Sequence, residues 1–120
     1  MTRLLSIIPL FLSCLQLGAA QPFHVYSPSS KNNTLWIVQA KPQQDGLGLK
    51  VARKVDLGIA GRVITAHPSK PLLYVTATGG DPGKVPGAVV HLNKDGSYQK
   101  HQNVNFNDGA CYLALDKENR

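Results

Sequence analysis

Gly61-Arg62-Val63-Ile64-Thr65-Ala66-His67-Pro68-Ser69-Lys70 precedes Gly109-Ala110-Cys111-Tyr112-Leu113-Ala114-Leu115-Asp116-Lys117-Glu118 by 48 positions, and each reads as a glycine, a strand and a polar turn. The spacing recurs elsewhere. Asp45-Gly46 returns 50 positions later as Asp95-Gly96, and Phe23-His24-Val25-Tyr26-Ser27 returns 49 later as Leu72-Leu73-Tyr74-Val75-Thr76. A fixed period of this size marks a repeat architecture, in which each unit hides its apolar face only against a neighbour.

The repeated segments are strands. No window carries the 3.6-residue apolar period of a helix over ten or more positions, whereas short β-rich runs alternate with turn residues. The runs are Phe23-Tyr26, Leu35-Lys41, Leu49-Leu57, Arg62-His67, Leu72-Thr78, Ala88-Asn93, Tyr98-Val104 and Cys111-Asp116, four to each unit. Asp45-Gly46 and Asp95-Gly96 each suit an antiparallel hairpin, since Gly accepts positive φ and Asp bonds nearby backbone. Pro68-Ser69-Lys70-Pro71 makes another tight reversal. By period two, Leu49, Val51, Arg53, Val55 and Leu57 share one face, so that strand has one wet side. Leu72-Leu73-Tyr74-Val75 is continuously apolar, as in a strand covered on both faces. Four strands in roughly 40 to 50 residues have the dimension of a β-propeller blade, and eight strands also suffice for a sandwich of two sheets.

Of the 120 residues, 42% are hydrophobic and 17% charged, which excludes wholesale disorder, and the length excludes a multi-domain enzyme. Residues 1–20 read as a secretory signal: Arg3 opens a short basic start, Leu4 to Leu17 is apolar, and Gly18-Ala19-Ala20 offers small side chains to a peptidase. The apolar stretch contains Pro9 and is shorter than the roughly 20 residues of a membrane span. Cleavage after Ala20 is expected to leave a secreted or periplasmic chain with no membrane segment. That chain keeps Cys111 alone, which excludes an internal disulfide and a cysteine zinc site.

The chain carries a net charge of +6, or +5 once Arg3 is gone. The basic residues are dispersed, without a helix to align them or aromatics interleaved for base stacking, so nucleic acid is not the expected partner. Lysines along strand edges discourage sheet-to-sheet pairing.

The order of elements narrows the fold. Ile64-Thr65-Ala66-His67-Pro68-Ser69-Lys70-Pro71-Leu72-Leu73-Tyr74-Val75, then Ala88-Val89-Val90-His91-Leu92-Asn93, then Asp95-Gly96, then Gly109 to Asp116, resembles the 6-phosphogluconolactonase-type family. These are seven-bladed lactonase propellers, grouped with carboxymuconate cyclases. The resemblance covers nearly the whole of residues 21–120. It implies an all-β fold of propeller blades, each a four-stranded antiparallel meander. A complete ring would need about 315 to 350 residues at roughly 45 to 50 per blade. The expectation is therefore about two blades, an incomplete propeller forming the N-terminal portion of a longer product. An incomplete ring leaves apolar faces and strand edges uncovered, so this chain alone is expected to be marginal or to self-associate.

For function, the resemblance implies lactone hydrolysis or cyclisation in the full-length parent, on a small-molecule lactone or sugar acid and without a cofactor. Such chemistry needs a base to activate water and donors or cations for the developing oxyanion. The resemblance implies that the basic, acidic and His residues of the cleft come from blades beyond residue 120, with no matching positions here. The segment Asn105-Phe106-Asn107-Asp108-Gly109-Ala110-Cys111-Tyr112 is the best candidate to line the cleft: Asp108 is a base or acceptor, and Tyr112 stands where some relatives carry His. An Asp-Gly turn before a core strand explains the same residues. His24, His67, His91 and His101 form no metal constellation, and Gly79-Gly80-Asp81-Pro82-Gly83-Lys84-Val85 lacks the Ser or Thr and the helix of a phosphate loop. Asn32-Asn33-Thr34 is a glycosylation triplet, meaningful only in a eukaryotic secretory host. The alternative function is an exported, non-enzymatic repeat module that binds a partner or carbohydrate through its loops.

Overall fold

The computed structural model describes residues 21–79, 81, 83–107 and 114–115. Among them are seven strands and no helix: β1 (Phe23–Ser29), β2 (Thr34–Gln43), β3 (Gly46–Asp56), β4 (Val63–Ala66), β5 (Leu72–Thr76), β6 (Val85–Leu92) and β7 (Tyr98–Phe106). They form a three-stranded sheet in the order β1-β2-β3 and a four-stranded sheet in the order β4-β5-β6-β7, antiparallel throughout. Both sheets are up-and-down meanders. The protein is all-β, with two consecutive blades of an incomplete propeller. The expected run Cys111-Asp116 lies outside the described residues except for Ala114 and Leu115, which belong to no strand.

The division between the units differs from the even split of four and four. Arg62-His67 was expected to close the first unit, yet β4 pairs forward with β5 and opens the second sheet. The reversal at Pro68-Ser69-Lys70-Pro71 explains this, because it is tight enough to return the chain directly alongside β4. His67 holds that turn: its ring Nδ1 accepts the Ser69 and Lys70 amides at 3.1 and 3.0 Å, and its own amide donates to the Leu72 carbonyl at 2.9 Å. The passage from β3 to β4 instead dips between the sheets, with Leu57 and Ile59 buried.

Pairing registers set the repeat at 50 residues. Phe23 faces Ala40 and Val25 faces Val38 in the first sheet, while Leu73 faces Val90 and Val75 faces Ala88 in the second. Each partner is displaced by the same 50 positions. The offset of 49 between Phe23-Ser27 and Leu72-Thr76 is thereby corrected by one residue, a step that moves every side chain to the opposite face.

The sheets pack face to face. Leu35, Ile37 and Val55 from the first meet Leu73, Val75, Ala88 and Val90 from the second, with Leu57 and Ile59 between them. One repeat earlier, Leu73, Val75, Ala88 and Val90 correspond to Phe23, Val25, Val38 and Ala40, which form the outer face of the first sheet. Among the described residues no sheet covers that face, although Ala40 within it is buried. Phe23 and Val25 are 47% and 43% exposed, and Leu47, Leu49 and Val51, on the far side of β2, are 57%, 68% and 45% exposed.

A β-bulge decides which residues of β3 reach the core. Ile37 faces Arg53 whereas Val38 faces Val51, so Ala52 is an extra residue and the alternation changes phase there. Leu49 and Val51 therefore point outward, while Arg53 and Val55 point toward the second sheet. The single face expected for Leu49, Val51, Arg53, Val55 and Leu57 does not exist. Arg53 instead lays its guanidinium 4.7 Å from the centroid of the Tyr98 ring across the interface.

Candidate functional site

Asp108 and Tyr112, the expected cleft residues, lie outside the described residues, as does Cys111. The segment leading to them is described as far as Asn107. The Phe106 ring lies directly over Gly87, where a Cβ would collide with it and come within 2.9 Å of the Val75 carbonyl. Glycine is needed there for the backbone to pass beneath the ring. The Asn107 carbonyl then accepts the Gly83 amide at 2.6 Å, tying the exit of β7 to the β5–β6 connection. Gly61, just before β4, is equally confined: a Cβ there would stand 2.5 Å from Val75 Cγ1 and 3.6 Å from Pro28 Cβ. This close approach brings the β1–β2 turn to the end of the molecule where β4 begins and β7 finishes.

At that end the β1–β2 turn borders an open cleft of about 570 Å³, lined by Ser27, Ser29, Ser30, Lys31, Asn32 and Trp36 among others. Trp36 faces Ser27 on one side and Lys54 on the other, and Lys54 Nζ sits 4.2 Å over its ring, a cation–π contact. Hydroxyls, an amide and two lysines thus surround one half-buried indole. Sequence reasoning did not single out this cleft. Its signal was the polar run Ser27 to Asn33 next to the only tryptophan, but strand pairing was needed to bring Lys54 alongside.

A second polar cluster joins the sheets. The Tyr26 hydroxyl donates to the Gly96 carbonyl at 2.6 Å, and the Ser97 amide and hydroxyl donate to one Asp95 oxygen at 2.9 and 2.6 Å. The Ser97 hydrogen bonds hold the Asp95 carboxyl below the usual carboxylate range, with the nearby His24 adding to the effect. Burial pushes the Tyr26 phenol up, and the Asp95 charge pushes it further. These contacts read as a structural clasp, because the Tyr26 hydroxyl and the Ser97 donors are spent on the turn and the interface.

The histidines stand apart. His67 holds the β4–β5 turn, His101 shares a 2.8 Å hydrogen bond with the Tyr98 hydroxyl, and His24 stacks near Tyr26. Among the described residues, no group of three His, Cys, Asp or Glu side chains is placed to hold a metal ion.

No protein-family model, no curated protein and no solved structure matches the chain.

Proposed function

We propose that this chain supplies two blades of an exported lactonase-type propeller, whose completed ring opens or closes a lactone at one mouth of its channel without a cofactor. The observation that carries the reading is the shared register of β1–β2 and β5–β6 at a 50-residue interval, which makes the two sheets successive copies of one blade. The resemblance in Ile64 to Val75 and Gly109 to Asp116 supplies the lactonase assignment. In the hydrolytic direction Asp108 takes a proton from water, the oxygen adds to the lactone carbonyl, and the ring C–O bond breaks as the departing alkoxide gains a proton. Lys31 and Lys54, at the end of the sheets where β7 leads toward Asp108, suit the carboxylate or phosphate of a sugar acid. Two blades enclose no channel, so residues 21–120 alone are inactive in this reading.

The test begins with the nucleotide sequence beyond codon 120, where further blades are expected. The complete polypeptide is then assayed on sugar lactones beside its Asp108→Ala variant. Hydrolysis that the variant reduces at least tenfold supports the proposal. Equal rates in the two proteins, or activity from residues 21–120 alone, contradict it.

A second reading is favoured by the cleft itself. A half-buried indole edged by hydroxyls, an amide and lysines is suited to a carbohydrate, and would make the chain a non-enzymatic binding module. Titration with neutral and acidic sugars, followed by the fluorescence of the single Trp36, separates the readings. Saturable quenching with no lactone turnover favours the module.

A further inference from the structure

The sequence contains one Asn-x-Ser/Thr triplet, Asn32-Asn33-Thr34, and the fold sets it on the turn that joins β1 to β2. We infer that Asn32 is an N-glycosylation site, bearing an oligosaccharide on its side-chain amide.

Three observations place it there. First, Lys31, Asn32 and Asn33 are all exposed, and the Asn32 side chain makes no hydrogen bond with any described residue. Its amide is open to an incoming enzyme. Second, the turn is held by its backbone and by Thr34, leaving the acceptor amide uncommitted. Ser29 and Thr34 form the last pair of the ladder, Asn33 takes a left-handed φ of 54°, and the Asn33 carbonyl accepts the Leu57 amide at 2.8 Å. The Thr34 hydroxyl donates to the Asn32 main-chain carbonyl at 2.8 Å, a bond that holds the turn without engaging the Asn32 side-chain amide. Third, the turn lies at the tip of the first sheet. A bulky, solvated group there projects past the end of the strands. It leaves free the face that packs on the second sheet and borders the Trp36 cleft, which Asn32 helps to line.

The reaction is a group transfer from a lipid-diphosphate-linked oligosaccharide. The Asn32 amide nitrogen bonds to the anomeric carbon, and the bond from that carbon to the diphosphate oxygen breaks. The lipid diphosphate leaves with the electron pair, and the amide proton passes to a base of the transferase. No oxidation or reduction is involved. The inference does not rest on the lactonase reading, with which it shares the expectation of export and the neighbouring Lys31, and a glycan on Asn32 would border the cleft of the carbohydrate-binding reading.

The full chain, residues 1–120, is translated with endoplasmic-reticulum microsomes, and protease-protected product is sized before and after treatment with a glycan-releasing amidase. The expected result is a protected species of raised mass that the amidase returns to the unmodified mass, leaving an aspartate at position 32. Asn32→Gln and Thr34→Ala abolish the increment, and Thr34→Ser retains it. Because the modification is read during translocation, a variant that folds poorly still gives an answer. Protected chain of unmodified mass overturns the assignment of Asn32. Failure of the chain to enter the microsomes overturns the exported context that the site requires.

Discussion

Leu49 and Val55 lie on one strand at an even spacing, yet the bulge at Ala52 sends them to opposite faces, and a pair of alanine substitutions measures that directly. Val55 is 6% exposed and packs in the core, whereas Leu49 is 68% exposed on the outer face. Val55→Ala removes two buried carbons, about 1.6 kcal/mol at ~0.8 kcal/mol each, and the residual cavity raises the loss to about 2–3 kcal/mol. For a domain of this size that lowers Tm by about 10–20 °C. Leu49→Ala removes three carbons, but only about a third of their surface is shielded, so the loss stays below ~1 kcal/mol. Urea unfolding of both variants, followed by Trp36 fluorescence at low protein concentration, reads the difference. Similar losses in the two variants, or a larger loss for Leu49→Ala, would refute the bulge and restore the uninterrupted alternation.

Other consequences follow from close contacts and charges. Gly87→Val drives a side chain into the Phe106 ring, and a loss of about 2 kcal/mol or more is expected by chemical denaturation. Adding Phe106→Leu should recover part of that loss. The Asp95 carboxyl has a depressed folded pKa, so its contribution is present above the unfolded pKa and is lost as pH falls through the folded one. Carbon-detected NMR titration should find Asp95 ionised to lower pH than an ordinary aspartate, and Ser97→Ala should raise its pKa. An unchanged value in that variant would mean that the Ser97 hydroxyl bond is not the cause.

Strand positions were legible because their signals are local. Asp45-Gly46 and Asp95-Gly96 close the two hairpins as their chemistry demands, with positive φ at Gly46 and Gly96. Sheet membership was less legible. Val63–Ala66 has strand character whichever neighbour it joins, and only the His67-centred turn, with a buried ring accepting two amides, commits it to β5. The phase change at Ala52 left no mark in the sequence, since a bulge arises from the partner strand's register and nothing distinguishes Ala52 chemically. The cleft was hidden for a similar reason: Trp36 and Lys54 are 18 positions apart and meet only through β2–β3 pairing. Asp108 and Tyr112 were named from family resemblance, and they lie outside the described residues.

The exposed outer face of the first sheet carries the most direct consequence of the two-blade architecture. Sedimentation equilibrium of residues 21–120 across a concentration series should show association, with the average mass rising with concentration. Leu49→Lys combined with Val51→Lys should suppress it by placing charge on that face. A single monomeric species at every concentration, unfolding cooperatively on heating, would contradict a pair of blades that depends on further neighbours.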